Sequence, residues 1–348
     1  MKKIIMALFI VLGAVAIIIA GIGFAVSAPG YSGATSKHFD GTKFFNGEGY
    51  VEKSSGELMK WLFTRKPGKW TEKTTADVSF GEKPALLISN SSQVITYINH
   101  STFLIQTDGL NIITDPVYSD RVSPFSFAGP KRMRPPGIKF EDLPDLDFVL
   151  ISHNHYDHLD INTLLQIEEI HDPVFITPLG LDLYLNKKGI SKTVHLDWWE
   201  EHPADSTVSI SAVEAQHFSS RGMFDRDKTL WAGFVIESPN GNIYFAGDTG
   251  YNNFFKKIGK DYAPIKTALI PIGAYIPRWF MGPVHVDPAQ ALQIHKDLGS
   301  VLSIGMHYGT FPLADDGEMD PINDFNAVVG DENFILMKEG ENRVIRNN

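Results

Sequence analysis

Cysteine is absent from the 348 residues, which excludes disulfides, thiolate metal sites and a cysteine nucleophile at once. Any bound metal must then be held by His, Asp and Glu. Basic charge is also short: 31 Lys and Arg stand against 41 Asp and Glu, for a formal net charge of −10. So acidic a chain lacks the electrostatic grip on phosphate backbones that nucleic-acid binding needs, and no nucleic acid is expected as a partner. With 43% hydrophobic and 21% charged residues, the chain can nonetheless bury one large core.

One long apolar run is present. Lys2 and Lys3 precede an almost uninterrupted hydrophobic stretch from Ile4 to Val26, long enough as a helix to cross a hydrocarbon core of about 30 Å. Residues 1–26 therefore read as a membrane anchor or signal segment, and the lack of a polar face argues against a buried core helix. As an uncleaved anchor the run leaves Lys2 and Lys3 in the cytoplasm and the rest of the chain on the extracytoplasmic side. Cleavage within Ala25-Val26-Ser27-Ala28 would instead release a secreted or periplasmic protein. Residues 27–49, rich in Gly, Ser, Thr and Lys, read as a linker. A short helical pattern at Glu57–Phe63 follows, so that 27–90 form a linker and N-terminal appendage and 91–348 the main domain.

The main domain opens with β signals at Val94–Ile98, Thr102–Gln106 and Leu110–Thr114, the last two joined by an Asp108-Gly109 hairpin turn. Beyond Pro144 strands and helices alternate. Strands are expected at Phe148–Ile151, Val174–Ile176, Thr207–Ala215, Trp231–Glu237, Asn242–Ala246, Ala268–Ile272 and Val301–Met306. Helices are expected at Asn162–Ile170, Leu181–Lys187, Asn252–Ile258 and Pro288–Leu298, the last with Asp287 as its N-cap and Pro288 at its first position. The mixture points to an α/β fold of two sheets, each covered by helices on its outer side.

Chemistry concentrates in His153-Asn154-His155-Tyr156-Asp157-His158, directly after a buried strand. His153 and His155 alternate as they leave it, so both imidazoles can face one side, while Asp157 and His158 begin a second site beside them. Imidazole and carboxylate suit a borderline metal such as zinc. The loop alone supplies too few ligands for two metals, but His217, Asp248 and His307 each follow the C-terminal end of another strand, where distant parts of a chain can converge. Singly, each would more often cap a strand or support a ligand; jointly they complete a site.

These motifs resemble the ligand set of metallo-β-lactamase-fold hydrolases over about residues 93–310. The resemblance implies an αβ/βα sandwich with two central mixed sheets and two Zn2+ ions, the first on His153, His155 and His217, the second on Asp157, His158 and His307, with Asp248 bridging. Within that superfamily Thr114-Asp115-Pro116-Val117, Gly129-Pro130-Lys131-Arg132, Ile270–Tyr275, Pro277-Arg278-Trp279-Phe280-Met281, His285-Val286-Asp287-Pro288 and His307–Phe311 resemble the N-acyl-phosphatidylethanolamine-hydrolysing phospholipases D. That similarity implies a phosphodiesterase cleaving N-acyl-phosphatidylethanolamine to N-acylethanolamine and phosphatidic acid by attack of a water shared between the metals. It also implies that Tyr156 and His285 face the substrate phosphate without binding metal.

Protonation of the leaving group falls to Asp157 or His285, and the residues do not choose between them. Asp115 is expected to hydrogen-bond a metal-bound His, whereas His100 reads as structural. Trp198-Trp199 and Trp279-Phe280-Met281 suit either an acyl groove and the bilayer interface or a core. The expected partners are a membrane phospholipid substrate, the membrane itself through the N-terminal segment, and a second copy as a candidate homodimer. The rival readings are a metallo-hydrolase of another ester, such as a lactone, or a non-enzymatic scaffold, which would ordinarily have lost a ligand.

Overall fold

The computed structural model describes residues 2–47, 50, 52–88 and 92–346. The chain begins with helix α1 (Lys2–Val26). The side chains of residues 2–5, 7, 8, 10, 12 and 16 lie outside the described residues, so the run expected to be an anchor is described as a helix but with only part of its side chains. Among the described residues no helix is long and apolar enough to cross a membrane. Helix α2 (Ser55–Thr64) opens with Ser54 as its cap, whose hydroxyl accepts from the Glu57 N–H while the Glu57 carboxylate accepts from the Ser54 N–H.

Strands β1 (Ser92–Asn99), β2 (Thr102–Thr107) and β3 (Leu110–Thr114) form a meander. Asp108 and Gly109 sit in the left-handed region, at φ 49° and 82°, as a tight hairpin between two apolar strands requires. β4 (Phe148–Leu150), helix α3 (Ile161–His171), β5 (Val174–Pro178), helix α4 (Leu181–Lys188) and β6 (Thr193–Leu196) continue the first sheet in parallel. β7 (Glu201–Pro203), β8 (Ser209–Val213), β9 (Gly233–Glu237) and β10 (Asn242–Phe245) open the second as an antiparallel run. Helix α5 (Phe254–Asp261), β11 (Ile265–Pro271), helices α6 (Arg278–Met281) and α7 (Pro288–Leu298), β12 (Leu302–Met306), helix α8 (Asp320–Val328) and β13 (Phe334–Ile335) add its parallel half. β14 (Asn342–Arg346) crosses back to pair with β1 in the first sheet.

The result is two seven-stranded mixed sheets, ordered β14-β1-β2-β3-β4-β5-β6 and β13-β12-β11-β10-β9-β8-β7, the expected α/β sandwich. Ile95, Phe103, Ile105 and Ile112 of one sheet and Ile210, Phe234, Ile243 and Leu269 of the other are fully buried in one shared core. Asp287 caps α7 by accepting from the Gln290 N–H, with Pro288 in its first turn, as the sequence implied. The segment read as a linker is packed instead: Phe39 and Phe44 pair across an isolated bridge and are buried in the core shared by the two sheets. Glycine and serine suggested mobility there, but two aromatic rings carry the burial.

Candidate metal centre

Each residue of the proposed centre leaves the C-terminal end of a strand. His153 to His158 follow β4, His217 follows β8, Asp248 follows β10 and His307 follows β12. Two local features bring these ends together. Gly247 has φ +59°, and a Cβ there would lie 2.7 Å from Cβ of Ser152; only glycine lets the Asp248 turn approach the His153 loop so closely. His307 itself adopts φ 60° and Asp115 φ 34°, left-handed conformations that are uncommon for non-glycine residues.

The side chains of these residues converge. Nε2 of His153 lies 2.8 Å from Nδ1 of His155, and Nε2 of His217 lies 3.2 Å from that same atom. Beside this cluster, Nε2 of His158 lies 3.3 Å from both Asp157 and Asp248, and Nε2 of His307 lies 3.3 Å and 3.1 Å from the same two carboxylates. Asp248 Oδ2 is also 3.8 Å from Nε2 of His217, so its carboxylate sits between the two groups. The ligand-type atoms of His153, His155 and His217 fall within one coordination-sized cluster, and those of His100, Asp157, His158 and His307 within another, while Asp248 groups with His153 and His158 and also with His217 and His285.

Hydrogen bonds on the outer side fix which nitrogen faces inward. The carbonyl of Val284 accepts from Nδ1 of His217 at 3.0 Å, so the neutral ring presents the Nε2 lone pair to the centre. Asp115 is completely buried and its Oδ2 accepts from Nδ1 of His158 at 2.6 Å and from the Ser152 hydroxyl at 2.6 Å, while Oδ1 accepts from the Ser152 N–H at 2.7 Å. This is the supporting role expected of it. The donor set fits divalent cations on a further count: Asp248 Oδ1 is buried without a hydrogen-bond partner, an uncompensated position that a cation would satisfy.

Electrostatics point the same way. Burial holds the His153 and His217 imidazoles well below their ordinary pKa and pulls His155 down to about 3, leaving three neutral ligands. Burial opposes the charge on Asp157 and Asp248, yet adjacent imidazoles, His158 foremost at Asp157 and His307 at Asp248, outweigh it and hold both carboxyls well below the usual range. Burial likewise opposes the charge on His158 and His307. Asp248 leads in overcoming it, raising His158 well above its ordinary value and His307 to about 9. Without metal, two protons thus stand where cationic charge is needed.

His285 lies beside the centre, its Nδ1 3.8 Å from Asp248 and without a hydrogen-bond partner. Tyr156 is engaged elsewhere: its hydroxyl donates to the Arg221 carbonyl at 3.1 Å and the Arg221 guanidinium lies 3.9 Å over its ring, so it packs where a substrate contact was expected. Two residues gain roles that the sequence did not suggest. Arg221 donates to the carbonyls of Asn154 and Leu159 at 2.8 and 2.9 Å, clamping both ends of the histidine loop. His100 places Nε2 3.1 Å from Asp157 Oδ2 and fixes that carboxylate. Neither carried a periodic or motif signal, since each lies in irregular chain distant in sequence from the histidine loop.

A cavity of about 610 Å³ opens on the centre. His155, Asp157, Asp248 and His285 form its polar floor, and Leu58, Trp61, Phe280, Met281, Val284 and Leu313 its apolar wall. The aromatic pairs divide accordingly: Phe280 and Met281 line the cavity, whereas Trp198 is buried in the core, its Nε1 donating to the Trp231 carbonyl. α2 supplies one wall through Trp61, which stacks on Phe280 at 5.0 Å and donates to Asp315 at 3.2 Å.

A family model described as the beta-lactamase superfamily domain matches residues 110–308. The chain is 43% identical over 235 residues to N-acyl-phosphatidylethanolamine-hydrolyzing phospholipase D 1 of Caenorhabditis elegans, covering 65% of this chain and 66% of that protein. It is 35% identical over 232 residues to the mitochondrial N-acyl-phosphatidylethanolamine-hydrolyzing phospholipase D of Saccharomyces cerevisiae, covering 65% of this chain and 49% of that one. The match thus spans just under two thirds of the worm relative and about half of the yeast one. Among solved structures, Igni18, a metallo hydrolase from Ignicoccus hospitalis, aligns with a TM-score of 0.57 at 25% identity, over 74% of this chain and 100% of that one.

Proposed function

The chain belongs to the metallo-β-lactamase superfamily as a metal-dependent hydrolase, and on that premise we propose that it is a zinc-dependent, binuclear phosphodiesterase of phospholipase D type. Its substrate in this reading is N-acyl-phosphatidylethanolamine and its products are N-acylethanolamine and phosphatidic acid. The observation that carries the proposal is the cavity, which joins charged and imidazole groups to apolar side chains of the kind an acyl chain would meet. The worm and yeast relatives support the choice of substrate.

In this reading His153, His155 and His217 would hold one cation, Asp157, His158 and His307 a second, and Asp248 would serve both. Two such ions would supply Lewis acidity toward phosphoryl oxygens and lower the pKa of a coordinated water toward neutrality. The side chains do the positioning. Asp157 Oδ2 lies 3.1 Å from Nε2 of His100 and, as a ligand of the second cation, would be further occupied, which leaves it little capacity for the substrate. His285, whose Nδ1 on the cavity floor lacks a hydrogen-bond partner, is therefore the group that would contact the phosphodiester; neutral because burial lowers it to about 4, it would take the proton released by the attacking water and pass it to the departing alkoxide. The N-terminal apolar run tethers the domain on the extracytoplasmic face of the membrane that contains the substrate.

Incubating the zinc-loaded protein with N-acylated phosphatidylethanolamine, plain phosphatidylethanolamine and a panel of lactones, followed by mass spectrometry, tests the proposal. N-acylethanolamine and phosphatidic acid should appear from the first lipid. Turnover of lactones alone would refute the phosphodiesterase and favour the ester-hydrolase reading.

A further inference from the structure

Helix α2 has two unlike faces. Trp61 is buried against Phe280 and Asp315, while Leu58, Met59, Leu62 and Phe63 are all exposed, Phe63 at 82%. Their spacing of three, four and five residues places them on one stripe of the helix. Such a run of large apolar side chains on one face of a short helix is costly in water and marks a surface that meets something apolar. Trp279 of α6 is exposed alongside, with the Lys60 ammonium 4.9 Å over its ring.

Charge says what that surface meets. Between positions 53 and 73 lie six basic residues, Lys53, Lys60, Arg65, Lys66, Lys69 and Lys73, against two acidic ones, Glu57 and Glu72, in a chain whose net charge is −10. Arg65 is paired with Asp315, Lys53 with Glu57 and Glu72 with Lys131, which leaves Lys60, Lys66, Lys69 and Lys73, all exposed, as the positive charge of this surface. An apolar stripe flanked by exposed lysines, on an otherwise acidic protein, has the makeup of a helix that lies in the headgroup region of an anionic bilayer. Leu58 belongs both to this stripe and to the wall of the catalytic cavity, so the surface and the cavity are continuous.

We propose that α2 is an interfacial docking helix, its Leu58-Met59-Leu62-Phe63 stripe set into an anionic lipid surface so that the cavity mouth opens directly onto the acyl chains. This rests on the lipid-hydrolase reading, since it names how that site reaches its substrate. The membrane contact is separate from the one expected of the N-terminal run.

The lack of cysteine makes the test direct. Phe63→Cys in the full chain carries a single polarity-sensitive fluorophore, and Leu62→Cys repeats the measurement one residue away. Glu169→Cys, at an exposed position of α3, is the reference. In phosphatidylcholine vesicles containing phosphatidylglycerol, the labels at 62 and 63 should shift to the blue, brighten by about twofold or more and be quenched by doxyl-labelled lipid. The label at 169 should stay aqueous, and pure phosphatidylcholine should give a weaker response. A label at 63 that stays open to iodide, or an equal response at 169, would overturn the proposal. So would a blue shift that appears without lipid and grows with protein concentration, because a second copy would then cover the stripe. None of these readouts needs turnover, so an incorrect substrate and an incorrect docking surface give different results.

Discussion

Replacing Asp115 by Asn removes one charge from a site with no solvent access and tests how the His158 nitrogen is aimed. The carboxylate accepts three hydrogen bonds, from Nδ1 of His158, the Ser152 hydroxyl and the Ser152 N–H. Asparagine keeps the volume and can still accept from the Ser152 N–H through its carbonyl oxygen. Its amide, however, then faces Nδ1 of His158, and the ring is driven to accept there, with its proton moved to Nε2. Nε2 is the atom 3.3 Å from Asp157 and Asp248, so the tautomer that suits asparagine blocks the ligand lone pair. Loss of one charge-assisted hydrogen bond is worth about 1.5–3 kcal/mol, and changes to such supporting groups weaken metal binding by roughly 10–100-fold.

Competition against a chelator, with metal counted by mass spectrometry and the fold checked by circular dichroism, reads this directly. The ion on Asp157, His158 and His307 should leave at lower chelator concentration than the ion on His153, His155 and His217, which Asp115 reaches only through Ser152. A folded variant whose two ions are retained to within about twofold of the parent would refute the assignment of Asp115 as the group that sets the His158 tautomer.

Metal-free protein should be most stable near pH 6.5 and lose stability on either side. His307, raised from 6.5 to about 9, contributes stability that is complete below 6.5 and lost as pH rises to about 9, worth roughly 3 kcal/mol at order-of-magnitude level. His155 and His285, lowered to about 3 and about 4, contribute stability present above 6.5 and lost as pH falls toward those values; denaturant titrations across pH check both limbs, and zinc should abolish the alkaline one, a persistent slope counting against His307 as a ligand. His285→Ala should keep both metals and reduce lipid turnover by about 100-fold or more, measured by product mass spectrometry beside metal analysis; loss of metal would make His285 a ligand. Asp248→Asn should release both ions and end turnover, because its carboxylate approaches ligands of both clusters.

What the sequence disclosed and what it hid follow physical lines. The histidine loop, Asp248 and His307 were legible because each follows a buried apolar strand whose pattern is plain, and Asp287-Pro288 because capping is local. The strands Thr193–Leu196 and Glu201–Pro203 were not, being short and mostly part-buried or exposed, without an apolar run to mark them. β14 pairs with a strand some 250 positions away, and no local pattern signals such a partner. Arg221 acts through its reach to two carbonyls, and α2 acquires a wall of the cavity through a stacking partner far along the chain. Tyr156, by contrast, sat inside the right motif yet points into packing, which proximity in sequence cannot decide.

The most direct test of the binuclear centre is anomalous diffraction at the zinc edge from crystals of the zinc-loaded protein. The account predicts two peaks about 3.5–4 Å apart, one among His153, His155 and His217, the other among Asp157, His158 and His307, with the Asp248 carboxylate between them. A single peak, or peaks remote from Asp248, would contradict it.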